Sequence, residues 1–231
     1  LVVDAGSVQE TEEEQGLAHF TEHMAFNGTR HFAKQELVDY LESIGMRFGP
    51  DLNAYTSFDE TVYMLTVPTD STVFVEQGFQ ILEDWAHGIS FEGEEIDRER
   101  GVVIEEWRLR KGAEQRMTDK LLPVLLKDSR YADRLPIGQK AVLDTFANAA
   151  LRGFYKKWYR PEFMGLVAVG DFDPEWIEEL VRTHFSRLTP GAGAADRVVY
   201  AVPDHGETLF SIVTDPEATR NAINIYYTRD V

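Results

Sequence analysis

Residues 19–23 read HFTEH, inside the longer stretch QGLAHFTEHMAFNGT. The chain has 6 histidines in all, yet His19 and His23 stand only four positions apart. On a helix that spacing puts both on one face, where two ring nitrogens can aim at one point in the near-tetrahedral arrangement zinc takes. Glu22 sits one turn from His19 and next to His23. It cannot easily be a ligand as well, but a carboxylate there reaches a water activated by such a metal and can take its proton. The competing reading is two ordinary helical histidines beside a surface glutamate. A chance HxxEH arises on the order of once in a hundred sequences of this length and composition, so the motif alone leaves both readings open.

Two histidines and a water leave a tetrahedral zinc one protein ligand short. The chain has no cysteine, so the remaining ligand must be nitrogen or oxygen. The best source is EEIDRERGVVIEEWRLRKG, where Ile96, Val103 and Trp107 recur at helical spacing and define an inward stripe. At about 100° per residue Glu99 and Glu106 fall beside that stripe, whereas Glu105 projects from the opposite side. An inward carboxylate is costly unless a metal, a cation or hydrogen-bond donors compensate it. Pairing with Arg98, Arg100 or Arg110 is the other way to compensate these glutamates, and it too stays open.

The elements that must hold these residues follow from local pattern. LVVDAGSV reads as a strand already under way, so the chain is expected to be a piece of a longer protein. Gly16 to about Asn27 has helical spacing, and Lys34–Ile44 is a second helix closed by Gly45. LNAYTSFDETVYMLTVP reads as two β segments. Ser71–Ala86 and Glu92 to about Lys111 are long helices, and AVLDTFANAALRGFYKKWY continues helical up to Pro161. FMGLVAVGDF is a buried strand leading to the helix PEWIEELVRTHF, with Pro174 in its first turn. Gly191–Ala195 is a small-residue loop, and three candidate strands follow it. Strands, then helices, then strands predict an α+β layer rather than a doubly wound parallel sheet.

Composition bounds the partners. With 43% hydrophobic residues the chain can bury a real core. Lys and Arg number 23 against 40 Asp and Glu, a net charge of −17 that repels a phosphate backbone, so nucleic acid is not an expected partner. No apolar run approaches the length of a membrane span.

Taken together, GLAHFTEHMAFNGT, LNAYTSFDETVYML, DRERGVVIEEWR and FYKKWYRPEFMGLVAVGDFD resemble the catalytic N-terminal portion of the insulinase/pitrilysin family of inverted zincins, and bacterial insulinase-like zinc proteases in particular. The likeness runs across nearly all of residues 1–231. It implies one N-terminal zinc peptidase domain, with a mostly antiparallel sheet of about six strands and helices packed on one face. It also implies a zinc endopeptidase in which His19, His23 and Glu106 hold Zn²⁺, Glu22 is the general base, and Glu99, the first member of an E-x6-E pair, supports the site from behind. The LNAYTS segment matches the family's edge strand that receives an extended peptide, so Asn53 would hold a substrate backbone group while Ala54 and Tyr55 line the cleft. The distance from His23 to Glu106 is somewhat longer than the family usually has, implying short insertions near RFGPD and in the helices that follow. Implied partners are a peptide or small protein substrate and a C-terminal half of the same protein, without which this portion is expected to cleave weakly or not at all. The implied compartment is the periplasm. A homologue that keeps the fold as an inactive scaffold or a peptide-binding module is the alternative.

Overall fold

The computed structural model describes residues 1–47, 49–190 and 196–227. Strands β1 (Val2–Val3), β2 (Leu52–Thr56), β3 (Thr61–Leu65) and β4 (Met164–Gly165) form one antiparallel sheet in the order β2-β3-β1-β4. Successive side chains alternate between the faces of a pleated strand, and here the faces differ. Val3, Leu52, Thr61 and Tyr63 are buried on one side, while Asn53, Tyr55 and Met64 on the other reach solvent.

Eight α-helices lie among the described residues, and those that enter the main core pack on the buried face. They are α1 (Leu17–Met24), α2 (Glu36–Ser43), α3 (Thr72–His87), α4 (Gly93–Leu109), α5 (Ala113–Leu125), α6 (Lys140–Leu143), α7 (Asn148–Trp158) and α8 (Pro174–Phe185). Trp85 of α3 stacks on Tyr63 with ring centres 5.3 Å apart, and the Tyr63 and Tyr159 hydroxyls meet at 2.6 Å. Leu17, Phe20 and Met24 of α1 join Ile96 and Val103 of α4 and Leu151 and Phe154 of α7 in the same core. A smaller cluster of Val75, Phe79, Ile177 and Leu180 seats α8 on α3.

The start of α1 is fixed by a buried carboxylate. The first N–H groups of a helix have no partner within it. Here Glu10, fully buried, accepts from the N–H of Gly16 at 2.9 Å and of Ala18 at 2.8 Å. Gly16 enters the helix at φ 105°, and a side chain on the adjacent Gly138 would strike the Gly16 backbone, with its Cβ only 2.4 Å from Gly16 Cα.

The α+β layer with helices on one face agrees with expectation, but several details differ. The described sheet has four strands rather than about six. In FMGLVAVGDF only Met164 and Gly165 pair, opposite the two residues of β1, and 166–172 have no ladder among the described residues. Residues 196–227, expected to hold strands, carry neither helix nor strand. The expected helix over 141–159 breaks into α6 and α7: Ala147 is extended, and Arg100 donates to the carbonyls of Leu143 and Phe146 at the break, at 2.5 and 3.1 Å. Helix α5, with Pro123 inside it, has no counterpart among the expected elements. The loop at Gly191–Ala195, Phe48 of RFGPD and the last four residues of the final candidate strand lie outside the described residues. Among the described residues no helix is long and apolar enough to cross a membrane.

Candidate metal centre

Helices α1 and α4 pack side by side and present their polar faces to one point. His19 Nε2 and His23 Nε2 lie 3.2 Å apart, and Glu106 Oε2 lies 3.6 Å from the first and 3.4 Å from the second. These three ligand-type atoms all fall within 4.8 Å of one another. The geometry follows from the helical spacing: residues 19 and 23 share one face of α1, and Ile96 and Val103 are fully buried on α4, with Trp107 partly buried behind them, which turns Glu106 toward that face. Glu105 points to solvent and pairs with Arg108 at 2.5 Å.

The two inward glutamates are compensated differently. Among the described residues Glu99 is paired with no arginine. Its Oε1 accepts from His23 Nδ1 at 2.7 Å, and its Oε2 accepts from Asn27 Nδ2 at 2.8 Å. Asn27 also donates to the His23 carbonyl at 3.1 Å, so one amide ties α1 to the carboxylate that orients its histidine. Since the carboxylate can only accept, His23 carries a proton on Nδ1, and its Nε2 faces His19 and Glu106. Glu106 Oε1 takes a hydrogen bond from Arg110 at 2.6 Å, while Oε2 faces the histidines. One oxygen is neutralised by the cation that follows its own helix, and the other is left for the shared point.

Electrostatics divide the histidines. Burial, then the neighbouring charge of His23, lowers His19 to about 4, so its imidazole is neutral near neutral pH. Burial also works against charging His23, but hydrogen bonds to Glu106 and Glu99 outweigh it and raise His23 to about 9. The His23 hydrogen bond is likewise the main cause that holds Glu106 down at about 2. Without a metal, a proton on His23 supplies the positive charge that this cluster of nitrogen and carboxylate oxygen attracts. Burial raises Glu22 above the usual carboxylate range, opposed by a hydrogen bond from Thr56. The Thr56 hydroxyl donates to Glu22 Oε2 at 2.6 Å.

Strand β2 borders the site as an edge of the sheet. The bonds Thr66 N–H to Asp51 O and Ser57 N–H to Glu60 O mark the hydrogen-bonded pairs between β2 and β3. The alternate residues Leu52, Ala54 and Thr56 therefore turn their backbone groups outward to the free edge. Asn53 and Tyr55 lie on the opposite face from Ala54, so the three do not share one wall. Asn53 Oδ1 accepts from the Ala54 N–H at 2.9 Å and covers an edge donor, and the Tyr55 hydroxyl donates to Glu60 at 2.8 Å. A cleft of about 570 Å³ opens beside the site between Thr56, Trp107 and Arg110 on one side and residues 132–139 on the other. The HxxEH pattern does not mark Thr56 or Asn27. Asn27 stands four residues beyond His23, and Thr56 shares the inward face of its strand with the buried Leu52, so each carried a spacing signal.

The family model described as Insulinase (Peptidase family M16) matches residues 1–135, and a second, described as Peptidase M16 inactive domain, matches residues 145–228. The chain is 40% identical over 227 residues to "Probable zinc protease PqqL" of Escherichia coli strain K12, covering 98% of this chain and 24% of that protein. It is likewise 40% identical over 228 residues to "Zinc protease PQQL-like" of Arabidopsis thaliana, again covering 98% of this chain and 24% of the relative. The crystal structure of the first half of the periplasmic protease PqqL from E. coli superposes with a TM-score of 0.83 at 40% identity, covering 88% of this chain and 43% of that one. The chain thus spans about a quarter of the length of these curated relatives.

Proposed function

Because the chain belongs to the insulinase family of peptidases, peptidase family M16, we propose that it carries the metal- and base-bearing site of a longer zinc endopeptidase, residues 1–231 forming its N-terminal peptidase domain. The observation that carries this reading is the convergence of His19 Nε2, His23 Nε2 and Glu106 Oε2 within 4.8 Å of one another, with Glu22 on the same helix. Two imidazole nitrogens and one carboxylate oxygen are a donor set of the catalytic zinc type, which keeps a position open for water or substrate. Two Nε2 atoms 3.2 Å apart, beside a carboxylate, need a proton or a cation between them. Zn²⁺ held by His19, His23 and Glu106 fits that need.

When bound, zinc supplies Lewis-acid activation of water and of the scissile carbonyl. The protein's own groups do the rest. Glu99, steadied by Asn27, keeps the His23 proton on Nδ1 and the ring in place. Glu22, its carboxyl raised by burial, takes a proton from the attacking water and returns it to the departing amine. An extended peptide or small protein pairs with the outward backbone groups of β2, and the Asn53 amide swings off the Ala54 N–H to hold a substrate backbone group beside Ala54 and Tyr55. The second half of the clamp is a C-terminal half of the same protein, so the isolated chain cleaves weakly. Val167, Val169, Ile212 and Ile223 stand 71–95% exposed on segments without a ladder, which supports a sheet completed to about six strands within the longer chain. Likeness to the periplasmic E. coli relative supports a periplasmic location.

The test is zinc content measured beside chelator-sensitive peptide cleavage in the full-length protein and its Glu22→Gln variant. Glutamine keeps the size but removes the base, so zinc should stay and turnover should fall by about 10² to 10⁴ fold. A wild type without zinc, or full turnover in Glu22→Gln, would overturn the proposal.

A further inference from the structure

Thr56 joins two parts of the site that are otherwise separate. It is the last residue of β2, and its backbone N–H and C=O belong to the outward set on the free edge, because Thr56 lies opposite Thr61 in a pair that shares no hydrogen bonds. Its side chain points the other way, toward α1. The hydroxyl has a single proton, and Glu22 Oε2 takes it at 2.6 Å. The neighbouring Thr61 hydroxyl cannot compete for Glu22, since its own proton goes to the Ala5 carbonyl at 2.9 Å and its oxygen stands 3.5 Å from that of Thr56. Glu22 therefore has one oxygen held by the strand, and its other oxygen takes no hydrogen bond among the described residues.

The strand end that holds this hydroxyl is itself fixed. Ser57 N–H bonds to Glu60 O at 2.8 Å and closes the β2–β3 turn, and the Ser57 and Phe58 carbonyls accept from Ser7 and Val8 at 3.1 and 2.9 Å. Gly6 lets this approach happen, since a Cβ there would sit 2.3 Å from Ser57 O. The hydroxyl is thus presented from a braced position and not from a loose loop.

Resting on the peptidase reading above, we propose that Thr56 is a positioning residue for Glu22, and that it couples the peptide-receiving edge of β2 to the base. The proton of Thr56 orients the carboxylate so that the free oxygen meets the attacking water. The same residue's backbone contacts the bound peptide, so a substrate seated in register along β2 holds the base in its working orientation. A carboxylate free to rotate loses that alignment, and misplacement by about 1 Å costs on the order of 10²-fold in rate.

The experiment compares Thr56→Val and Thr56→Ser with wild type in the zinc-loaded full-length protein, reading kcat, KM and zinc content together. Valine keeps the shape and strand preference without the hydroxyl, and serine restores the hydroxyl. The expected result is a fall in kcat of about 10-fold to 10²-fold in Thr56→Val, with zinc content kept and KM within about twofold, and a return of kcat to near the wild-type value in Thr56→Ser. Unchanged kcat in Thr56→Val, a loss carried by KM alone, or a serine variant as impaired as the valine one would overturn the positioning role while leaving the peptidase reading standing. A wild type without zinc-dependent turnover overturns both, so the two failures are told apart.

Discussion

Asn27 does for Glu99 what Glu99 does for His23: each fixes the next through a single hydrogen bond, at 2.8 and then 2.7 Å. Outer partners of this kind set the orientation and basicity of a metal-ligating histidine, and removing one commonly lowers metal affinity by about 10-fold to 10²-fold. Asn27→Ala should therefore weaken zinc binding by about 10-fold while leaving the melting curve of the metal-free protein little changed; zinc titration against a competing chelator reads it, and unaltered affinity would show that Glu99 needs no such support. At this scale the sequence was informative about the residues that converge. The four-residue step from His19 to His23 and the face of α4 that carries Glu106 are properties of helical periodicity alone. The compensating partners were harder to read. Arginines stand close to both glutamates in sequence, yet Arg98 pairs with Glu95, Arg100 caps carbonyls at Leu143 and Phe146, and only Arg110 reaches Glu106.

Helix α1 is only eight residues long, and such a helix is marginal without tertiary support. Glu10 supplies part of it by accepting the Gly16 and Ala18 N–H groups, although burial pushes its carboxyl well above the ordinary range against those two bonds. Glu10→Gln keeps the size but sets an NH₂ against one of the two N–H groups. It should lower stability by about 1–3 kcal/mol in urea denaturation and loosen α1, which carries both histidines. An unchanged midpoint would show that the cap contributes nothing. The long amphipathic helices were legible because their apolar stripes match the core they cover, as at Ile81 and Trp85 of α3 or Ile96 and Val103 of α4. Helix α5 was not, since it has no fully buried face and contains Pro123, which reads as a breaker. At the split between α6 and α7 the Leu143 and Phe146 carbonyls are taken up by Arg100, more than forty positions away, and no local pattern reports that partner.

Strand alternation tells which residues can sit in a sheet but not which strand they pair with. That explains why LNAYTS and TVYML were placed correctly, while the opening strand shrinks to Val2–Val3 and 166–172 and 196–227 were expected in strands that the described residues do not form. These segments expose Val169 and Ile212 at 90% and 95%, which leaves apolar side chains without cover among the described residues. The candidate metal centre does not depend on them, because α1 and α4 bring its three ligand-type atoms together within residues 19–106. Zinc bound per chain, measured by elemental analysis on the wild type, Glu106→Gln and Glu105→Gln, therefore decides whether His19, His23 and Glu106 form a zinc site. One zinc per chain should be found in the wild type and in Glu105→Gln. It should be largely lost in Glu106→Gln, where a weak neutral ligand replaces an anionic one, and should partly return with excess zinc. A wild type without zinc, or loss in Glu105→Gln with retention in Glu106→Gln, would contradict the account.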